Sequence, residues 1–271
     1  MHGCGNDYIY VNGFTEKVAN PAELAVKTSD RHFGVGSDGL ILILPSQKAD
    51  FRMRMFNADG SEAEMCGNGI RCLAKYVYDH KLTQKQRITV ETLGGIKTLD
   101  LVVNDGLVTA ATVDMGQPQL ERGEIPMLGP AGRAIDEPLN VGDRTFRVTC
   151  VSMGNPHCIT LVDDVASFPV QRYGPLIERH AAFPKRTNAE FVQIVDRGEV
   201  RLRVWERGSG ETLACGTGAS ATAVACSLLG KTGREITAHL PGGDLHLRWA
   251  DDDHVYMTGP AVEVFTGEWP S

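Results

Sequence analysis

The chain has 271 residues, enough for two modest domains, and its 42% hydrophobic and 23% charged residues are ordinary for a globular protein. A formal charge of −7 argues against a nucleic-acid partner, because phosphates bind basic surfaces, and no stretch reaches the roughly 20 apolar residues that cross a bilayer. The first residues lack the basic and apolar regions of a signal peptide, so we expect a cytoplasmic protein without a membrane segment.

Seven cysteines are present, without the CxxC or Cys/His spacing of a zinc site. An odd count in a chain of this size indicates free thiols rather than a disulfide scaffold. We therefore expect no metal, and most of the cysteines should be small buried residues.

Strands are predicted where apolar residues run together or alternate, and turn residues separate them. The predicted strands are 40–44, 51–56, 88–92 and 107–113 in the first half, and 159–162, 191–195 and 200–205 in the second. The Pro/Gly-rich stretch 116–138 indicates a linker or an irregular excursion, and 256–265 indicates a final strand that returns to the first domain.

A repeat connects the two halves. The tetrapeptides CGNG (66–69) and CGTG (215–218) are offset by 149 residues (215 − 66 = 149). The same offset, without a gap, aligns Gly5 with Gly154, Asn6 with Asn155, Phe56 with Trp205, Asn57 with Glu206, Glu62 with Glu211 and Ala74 with Ala223. A single register over this span indicates an internal duplication.

A helix is predicted after each tetrapeptide, because small or apolar residues follow at i, i+3, i+4 and i+7. These residues are Ile70, Leu73, Ala74 and Val77 in the first copy, and Ala219, Thr222, Ala223 and Cys226 in the second. The prediction is an α+β fold of two similar domains, each a β-sheet or barrel wrapped around a central α-helix. The first domain spans 1–115, joined by 256–271, and the second spans 116–255.

Cys66 and Cys215 stand where these helices begin. Unpaired N–H groups and a partial positive charge at a helix N-terminus lower a thiol pKa, so we expect some thiolate, and the neighbouring amides can hold a carboxylate. Two such units could remove a proton from one face of a carbon and return it to the other. The alternative is that both cysteines are core residues beside ordinary turns, which fits a single CGxG better than two in register.

Several blocks resemble the diaminopimelate epimerase family. They are MHGCGNDY (1–8), FNADGSEAEMCGNGIRC (56–72), SMGNPH (152–157), RTNAEFV (186–192) and WERGSGETLACGTG (205–218). The resemblance implies interconversion of LL- and meso-diaminopimelate for lysine and peptidoglycan synthesis, without pyridoxal phosphate, metal or another cofactor. It also implies a homodimer with the duplicated fold. One departure is Gly39, which stands where some members carry a substrate-contacting Gln.

The resemblance also implies residue roles. Cys66 and Cys215 would be the acid–base pair, with His157 supporting them. The carboxylate at the reacting centre would be held by Gly67, Asn68, Gly216 and Thr217, and the reacting amine by Glu206 and the Arg207 backbone. The distal end of the substrate would be recognised by Asn6, Asn57, Asn155, Asn188 and the Arg207 side chain.

Two rival functions are considered. A proline or hydroxyproline racemase would share the cysteines but lack the WERGSGET block, and so the residues Glu206 and Arg207 favour a substrate with two amino-acid ends. A thiol redox protein is the alternative from another class, because two reactive cysteines can form a disulfide. A binding module without catalysis would leave both thiols unexplained.

Overall fold

The computed structural model describes residues 1–270. The chain forms two compact units. The first comprises Met1–Val113 together with the described residues from Gly259 onward, and the second comprises Asp114–Thr258. The sequence places the boundaries a few residues away, at 115/116 and 255/256.

The first unit is a mixed sheet with two helices. Its elements are β1 (His2–Gly3), β2 (Asn6–Asp7), β3 (Ile9–Asn12), α1 (Pro21–Ser29), β4 (Gly39–Leu44), β5 (Phe51–Asn57), β6 (Glu62–Ala63), α2 (Gly67–Asp79), β7 (Arg87–Thr92), β8 (Gly95–Asn104) and β9 (Leu107–Asp114). Strands β3, β4, β5, β7, β8 and β9 pair in that order, and β6 pairs with β5. The β3–β4 and β5–β7 pairs are parallel, and the others are antiparallel.

The second unit repeats this architecture after an added hairpin. Its elements are β10 (Glu137–Val141), β11 (Arg144–Ser152), β12 (Pro156–Leu161), α3 (Val170–Glu178), β13 (Asn188–Ile194), β14 (Glu199–Glu206), β15 (Gly210–Thr212), α4 (Gly216–Leu228), β16 (Glu235–Leu240), β17 (Gly243–Trp249) and β18 (Val255–Pro260). The strands from β10 to β18 pair in chain order, except that β15 branches from β14.

The pairing pattern confirms the duplication. In the second unit β12–β13 and β14–β16 are parallel, while β13–β14, β14–β15, β16–β17 and β17–β18 are antiparallel, as in the matching pairs of the first unit. Helices α2 and α4 both have 13 residues, and they begin 149 residues apart (216 − 67 = 149). The predicted α+β fold of two similar halves is therefore confirmed.

Each long helix packs inside its own unit. In α2 the predicted stripe of Ile70, Leu73, Ala74 and Val77 is fully buried. Helix α4 buries ten of its thirteen residues and contacts β11, β12, β13, β16 and β17. Small side chains allow the strands to surround α4 closely, so its nearly uniform apolar surface is explained by burial. Within residues 1–270, no helix combines the length and hydropathy needed to span a membrane.

Two segments were predicted with less detail. Residues 116–138 are largely irregular, as one of the two sequence-based alternatives expects, and they pack into the second unit, where Ile125 and Ala134 are fully buried. The last strand ends at Pro260, and within residues 261–270 the pairing continues only as an isolated bridge between His2 and Val262. The predicted strand to residue 265 is therefore too long.

Candidate active site

Both cysteines cap a helix N-terminus. Cys66 and Cys215 have extended backbones, with φ/ψ of −132°/120° and −123°/110°. The Sγ atom of each accepts a hydrogen bond from the N–H three residues later, at 3.3 Å from Gly69 and 3.4 Å from Gly218. A cap side chain normally satisfies one of the spare N–H groups of the first turn, and here a sulfur takes that place. The duplication therefore brings one thiol to the same structural position in each unit.

In the first unit, an asparagine pair surrounds Cys66. The thiol donates to Asn6 Oδ1 at 3.2 Å, and Asn68 Nδ2 donates to the same oxygen at 3.4 Å. Asn6 Nδ2 donates to Asp38 Oδ2 at 2.7 Å. A carboxylate can only accept, so Asp38 fixes which end of the Asn6 amide faces the sulfur. The residues Asn6, Cys66 and Asn68, separated in sequence, form one connected group.

A buried arginine supports the loop at Cys66. Arg71 is fully buried on α2 and donates to Gly67 O at 3.0 Å, Asn68 Oδ1 at 2.9 Å and Pro260 O at 3.3 Å. Both Gly67 and Asn68 are buried. The guanidinium therefore fixes the two residues that follow the cysteine.

Asn57 ends β5 and lies opposite Gly39 in the ladder, with its Nδ2 donating to Ser61 Oγ at 3.0 Å. A Cβ atom at position 39 would lie 2.0 Å from Phe56 O, which no side chain tolerates. This backbone therefore admits only glycine at position 39.

In the second unit, a polar chain leads from Cys215 into the core. Thr217 Oγ1 lies 3.5 Å from the Cys215 sulfur and accepts from Asn155 Nδ2 at 3.3 Å. Asn155 Oδ1 lies 3.0 Å from His157 Nε2, and His157 Nδ1 lies 2.7 Å from Glu190 Oε1. His157 and Glu190 are both fully buried.

Each ring nitrogen of His157 lies within hydrogen-bond distance of an oxygen atom, Nδ1 of Glu190 Oε1 and Nε2 of Asn155 Oδ1. The two contacts fix the orientation of the imidazole ring. Pairing a histidine with a carboxylate also reduces the cost of burying both groups.

Burial raises the pKa of the Cys215 thiol well above its ordinary value, and the charges of Glu206 and Glu190 add to the increase. The hydrogen bonds from Thr217 and the Gly218 N–H act in the opposite direction and are the smaller effects. The sequence-based expectation of a lowered pKa is therefore wrong for Cys215 in the unliganded protein, because two neighbouring carboxylates and burial outweigh the helix terminus.

Alkylation can test this difference. We expect the iodoacetamide reaction of Cys215 to titrate at a higher pH than that of the same cysteine in urea-unfolded chain, which is about 8.5. The sign follows because a raised pKa keeps the proton on sulfur, so that less thiolate is present at neutral pH. Mass spectrometry of the Cys215 peptide over a pH series gives both midpoints. A folded-state midpoint at or below the unfolded one would contradict the expected shift.

Glu206 ends β14, and its Oε1 accepts from Thr212 Oγ1 at 2.6 Å. Burial raises the pKa of its carboxyl group, and the hydrogen bond from Thr212 opposes that increase. Arg207 follows with an exposed side chain that donates to Lys185 O at 3.0 Å. Its backbone N–H donates to the buried Asn188 Oδ1 at 2.8 Å. Asn188 therefore contacts the Arg207 backbone directly.

Three carboxylates close to these groups are missed by sequence reasoning: Asp38, Glu178 and Glu190. Glu190 carried a signal, because it lies two residues after Asn188 on the largely apolar strand β13, and therefore on the same face. The repeat offset pairs it with Ile41 and pairs His157 with Tyr8, so the two cysteines have different neighbours. Within residues 1–270, no group of three His, Cys, Asp or Glu residues could hold a metal ion.

Comparisons with known proteins identify the family. The diaminopimelate epimerase family model matches residues 1–121 and 149–264. A diaminopimelate epimerase of Agathobacter rectalis is 60% identical over 276 residues, which cover 99% of this chain and 97% of the relative. The solved structure of a PhzF-family phenazine biosynthesis protein from Bacillus anthracis matches with a TM-score of 0.69 at 18% identity, covering 96% of this chain and 92% of that one.

A hydroxyproline epimerase from Agrobacterium vitis also shares the fold, with a TM-score of 0.64 at 16% identity over 96% of this chain and 86% of that one. At such identities these two structures establish the fold alone. The family model and the 60% identical relative match nearly the whole sequence, including both cysteine-capped helices. This chain therefore belongs to the diaminopimelate epimerase family and is an isomerase.

Proposed function

We propose that this chain interconverts LL- and meso-diaminopimelate with Cys66 and Cys215 as the acid–base pair. The observation that carries the proposal is the matched placement of the two thiols, each capping a 13-residue helix in a unit of the same topology. Family membership supplies the substrate class, because the 60% identical relative is named a diaminopimelate epimerase.

The proposed reaction has two proton transfers. One sulfur, as thiolate, takes the α-proton, so that a C–H bond breaks and an S–H bond forms. The other sulfur gives its proton to the opposite face of the same carbon and is left as thiolate. The reverse reaction exchanges the two roles, which suits two chemically similar groups. The raised pKa of Cys215 favours its protonated form before substrate binds.

Negative charge develops on the substrate carboxylate when the α-proton leaves. We propose that the backbone N–H groups at Gly67, Asn68, Gly216 and Thr217 hold that carboxylate. The first N–H groups of an α-helix are not used by its own ladder, and they favour an anion. Because the donors are fixed before the reaction, they stabilise the developing charge without reorganisation.

The two ends of the substrate would be held by different groups. We propose that Glu206 and the Arg207 backbone bind the reacting amine. The distal end would be bound by Asn6, Asn57, Asn155, Asn188 and the Arg207 side chain. The buried hydrogen bonds of Asn188 support this division, because a fixed amide discriminates more strongly than a mobile one. His157 would act on Cys215 through Asn155 and Thr217.

Solvent isotope incorporation tests the activity. Purified protein is incubated in heavy water, in reducing buffer without an electron acceptor, with LL-diaminopimelate, proline or hydroxyproline separately. We expect deuterium at the α-carbon and a second stereoisomer only with diaminopimelate. Exchange with proline alone would support the racemase alternative. Absence of exchange with all three substrates would contradict an epimerase.

Cofactor removal is a second test. We expect kcat/KM to remain unchanged after EDTA treatment and after hydroxylamine treatment, which traps an aldehyde cofactor. The reason is that amide donors at two helix termini would stabilise the charge that a metal or a pyridoxal ring otherwise accepts. A loss of activity that is restored by adding metal ions or pyridoxal phosphate would contradict the cofactor-independent mechanism.

We also propose a homodimer in the cytoplasm that serves lysine and peptidoglycan precursor synthesis, as family membership suggests. Light scattering of the purified chain would give its mass, with about twice 29.4 kDa expected. A species at the monomer mass under assay conditions would contradict the dimer.

A further inference from the structure

Glu178 is a buried carboxylate that the reaction above does not use. It is the last residue of α3 and is only 2% exposed. Its Oε2 accepts from the Trp205 indole Nε1 at 2.8 Å. Its Oε1 accepts from the Gly208 N–H at 3.2 Å and from Arg186 Nη1 at 3.5 Å. Both oxygens are therefore bonded, which a buried charge requires.

These partners enclose the proposed substrate-binding dipeptide. Trp205 precedes Glu206, and Gly208 follows Arg207, so that one carboxylate holds both sides of the turn. The Glu178 backbone oxygen also accepts from the Thr187 N–H at 3.2 Å, directly before Asn188. Glu178 thus contacts the segments that carry two of the proposed distal-end residues, Asn188 and Arg207.

Helix α3 also contacts the same strand end sterically. A Cβ atom at Gly174 would lie 2.5 Å from Trp205 Cγ, so the glycine lets the helix backbone approach the indole ring closely. The indole is therefore held by packing at Gly174 and by its hydrogen bond to Glu178. Its position relative to α3 is fixed by two independent contacts.

We propose that Glu178 is a positioning residue that sets Arg207 and Asn188 for the distal end of a two-ended diamino diacid, and so determines affinity for that substrate. The inference rests on the proposed function. A carboxylate is needed because both oxygens accept. A glutamine would turn one acceptor into an NH₂ donor facing an N–H group, and the turn would have to move.

The effect should fall on KM rather than on kcat. Contacts to the distal end are the same in the ground state and in the transition state, so losing them removes uniform binding. Glu206 is held separately by Thr212, on β15, at 2.6 Å. Glu206, one of the two groups proposed to bind the reacting amine, therefore keeps its own support when the turn moves.

The test compares Glu178→Gln with Trp205→Phe and a matched control. We expect Glu178→Gln to raise KM for LL-diaminopimelate about tenfold, with kcat within about threefold. Trp205→Phe removes the indole donor together with part of the ring but leaves the carboxylate in place, and should shift KM less in the same direction. Asp79→Asn changes a carboxylate that also accepts from a backbone N–H, that of Val108 at 2.9 Å, and should leave KM unchanged.

A double-mutant cycle with Arg207→Lys separates positioning from a general loss of stability. If Glu178 acts through Arg207, the combined loss of kcat/KM is smaller than the product of the single losses. The proposal would be overturned if the losses of kcat/KM simply multiply in the double variant. It would also be overturned if Glu178→Gln lowers the melting temperature but leaves KM unchanged. If Glu178→Gln does not fold, an unchanged KM in Trp205→Phe would overturn the proposal in its place. If the wild-type chain itself does not act on diaminopimelate, that result contradicts the proposed function and is distinct from any effect of the variants.

Discussion

Replacing either Cys66 or Cys215 with alanine is expected to lower kcat/KM for epimerisation about 10³-fold or more. In the proposed mechanism each thiol supplies one of two proton transfers, and a positioned acid or base contributes about 10²–10⁴-fold. Stereoisomer formation measured by chiral chromatography gives the loss. Cys226→Ala, which alters a fully buried cysteine on the same helix as Cys215, should keep near wild-type activity.

The two alanine variants should also differ from one another. Each variant keeps one base, which reaches one face of the α-carbon. Residual exchange in heavy water should therefore be confined to one stereoisomer in Cys66→Ala and to the other in Cys215→Ala. Retention of more than about a tenth of wild-type epimerisation in either variant would contradict the two-base mechanism, because one proton transfer would then not need its cysteine.

Replacing Arg71 with methionine is expected to lower the free energy of unfolding by on the order of 3 kcal/mol. The change removes the guanidinium donor from two acceptors on buried residues, Gly67 O and Asn68 Oδ1, and from the half-buried Pro260 O. Each unsatisfied buried group costs about 1–3 kcal/mol, although such losses do not simply add. Because Gly67 and Asn68 follow Cys66, activity should fall as well. Urea unfolding followed by circular dichroism measures the change.

Arg87→Met is the control for Arg71, since Arg87 is 74% exposed in its ion pair with Asp100 and should contribute about 0–1 kcal/mol. Arg71→Lys should lie between the two, because it keeps the charge but not the planar set of donors. Equal unfolding midpoints for Arg71→Met and the wild type would show that the buried acceptors find other donors.

The duplication and the central helices could be predicted because each produces a regular spacing of residues in the sequence. A constant offset of 149 aligns the two tetrapeptides, and the apolar period places each helix. The shortest strands, β1, β2 and β6, have two residues each, too few for any period to show. For segment 116–138 the sequence left a linker and an irregular excursion open, because its proline and glycine content describes the backbone but not what Ile125 packs against.

The helix-capping positions of the two cysteines were predicted for the same reason. A cysteine at a helix start is a local feature, and so the places of Cys66 and Cys215 in the fold could be predicted. The roles of Asp38 and Glu190 depend on neighbours 32 and 33 residues away, which no local pattern shows. The pKa of Cys215 was predicted with the wrong sign because burial and the close approach of Glu206 and Glu190 are tertiary properties.

The glycine three residues after each cysteine touches a different side chain in each unit. A Cβ atom at Gly69 would meet Ile41 Cδ1 at 2.6 Å, whereas one at Gly218 would meet Glu190 Oε1 at 2.7 Å. Ile41 and Glu190 are equivalent positions (190 − 41 = 149). An ancestor with two identical halves would have given both thiols the same proton affinity. Once the halves were joined in one gene, a change at a single strand position could alter the proton affinity of one sulfur and leave that of the other unchanged. Such a difference suits a reaction whose two directions begin from different stereoisomers.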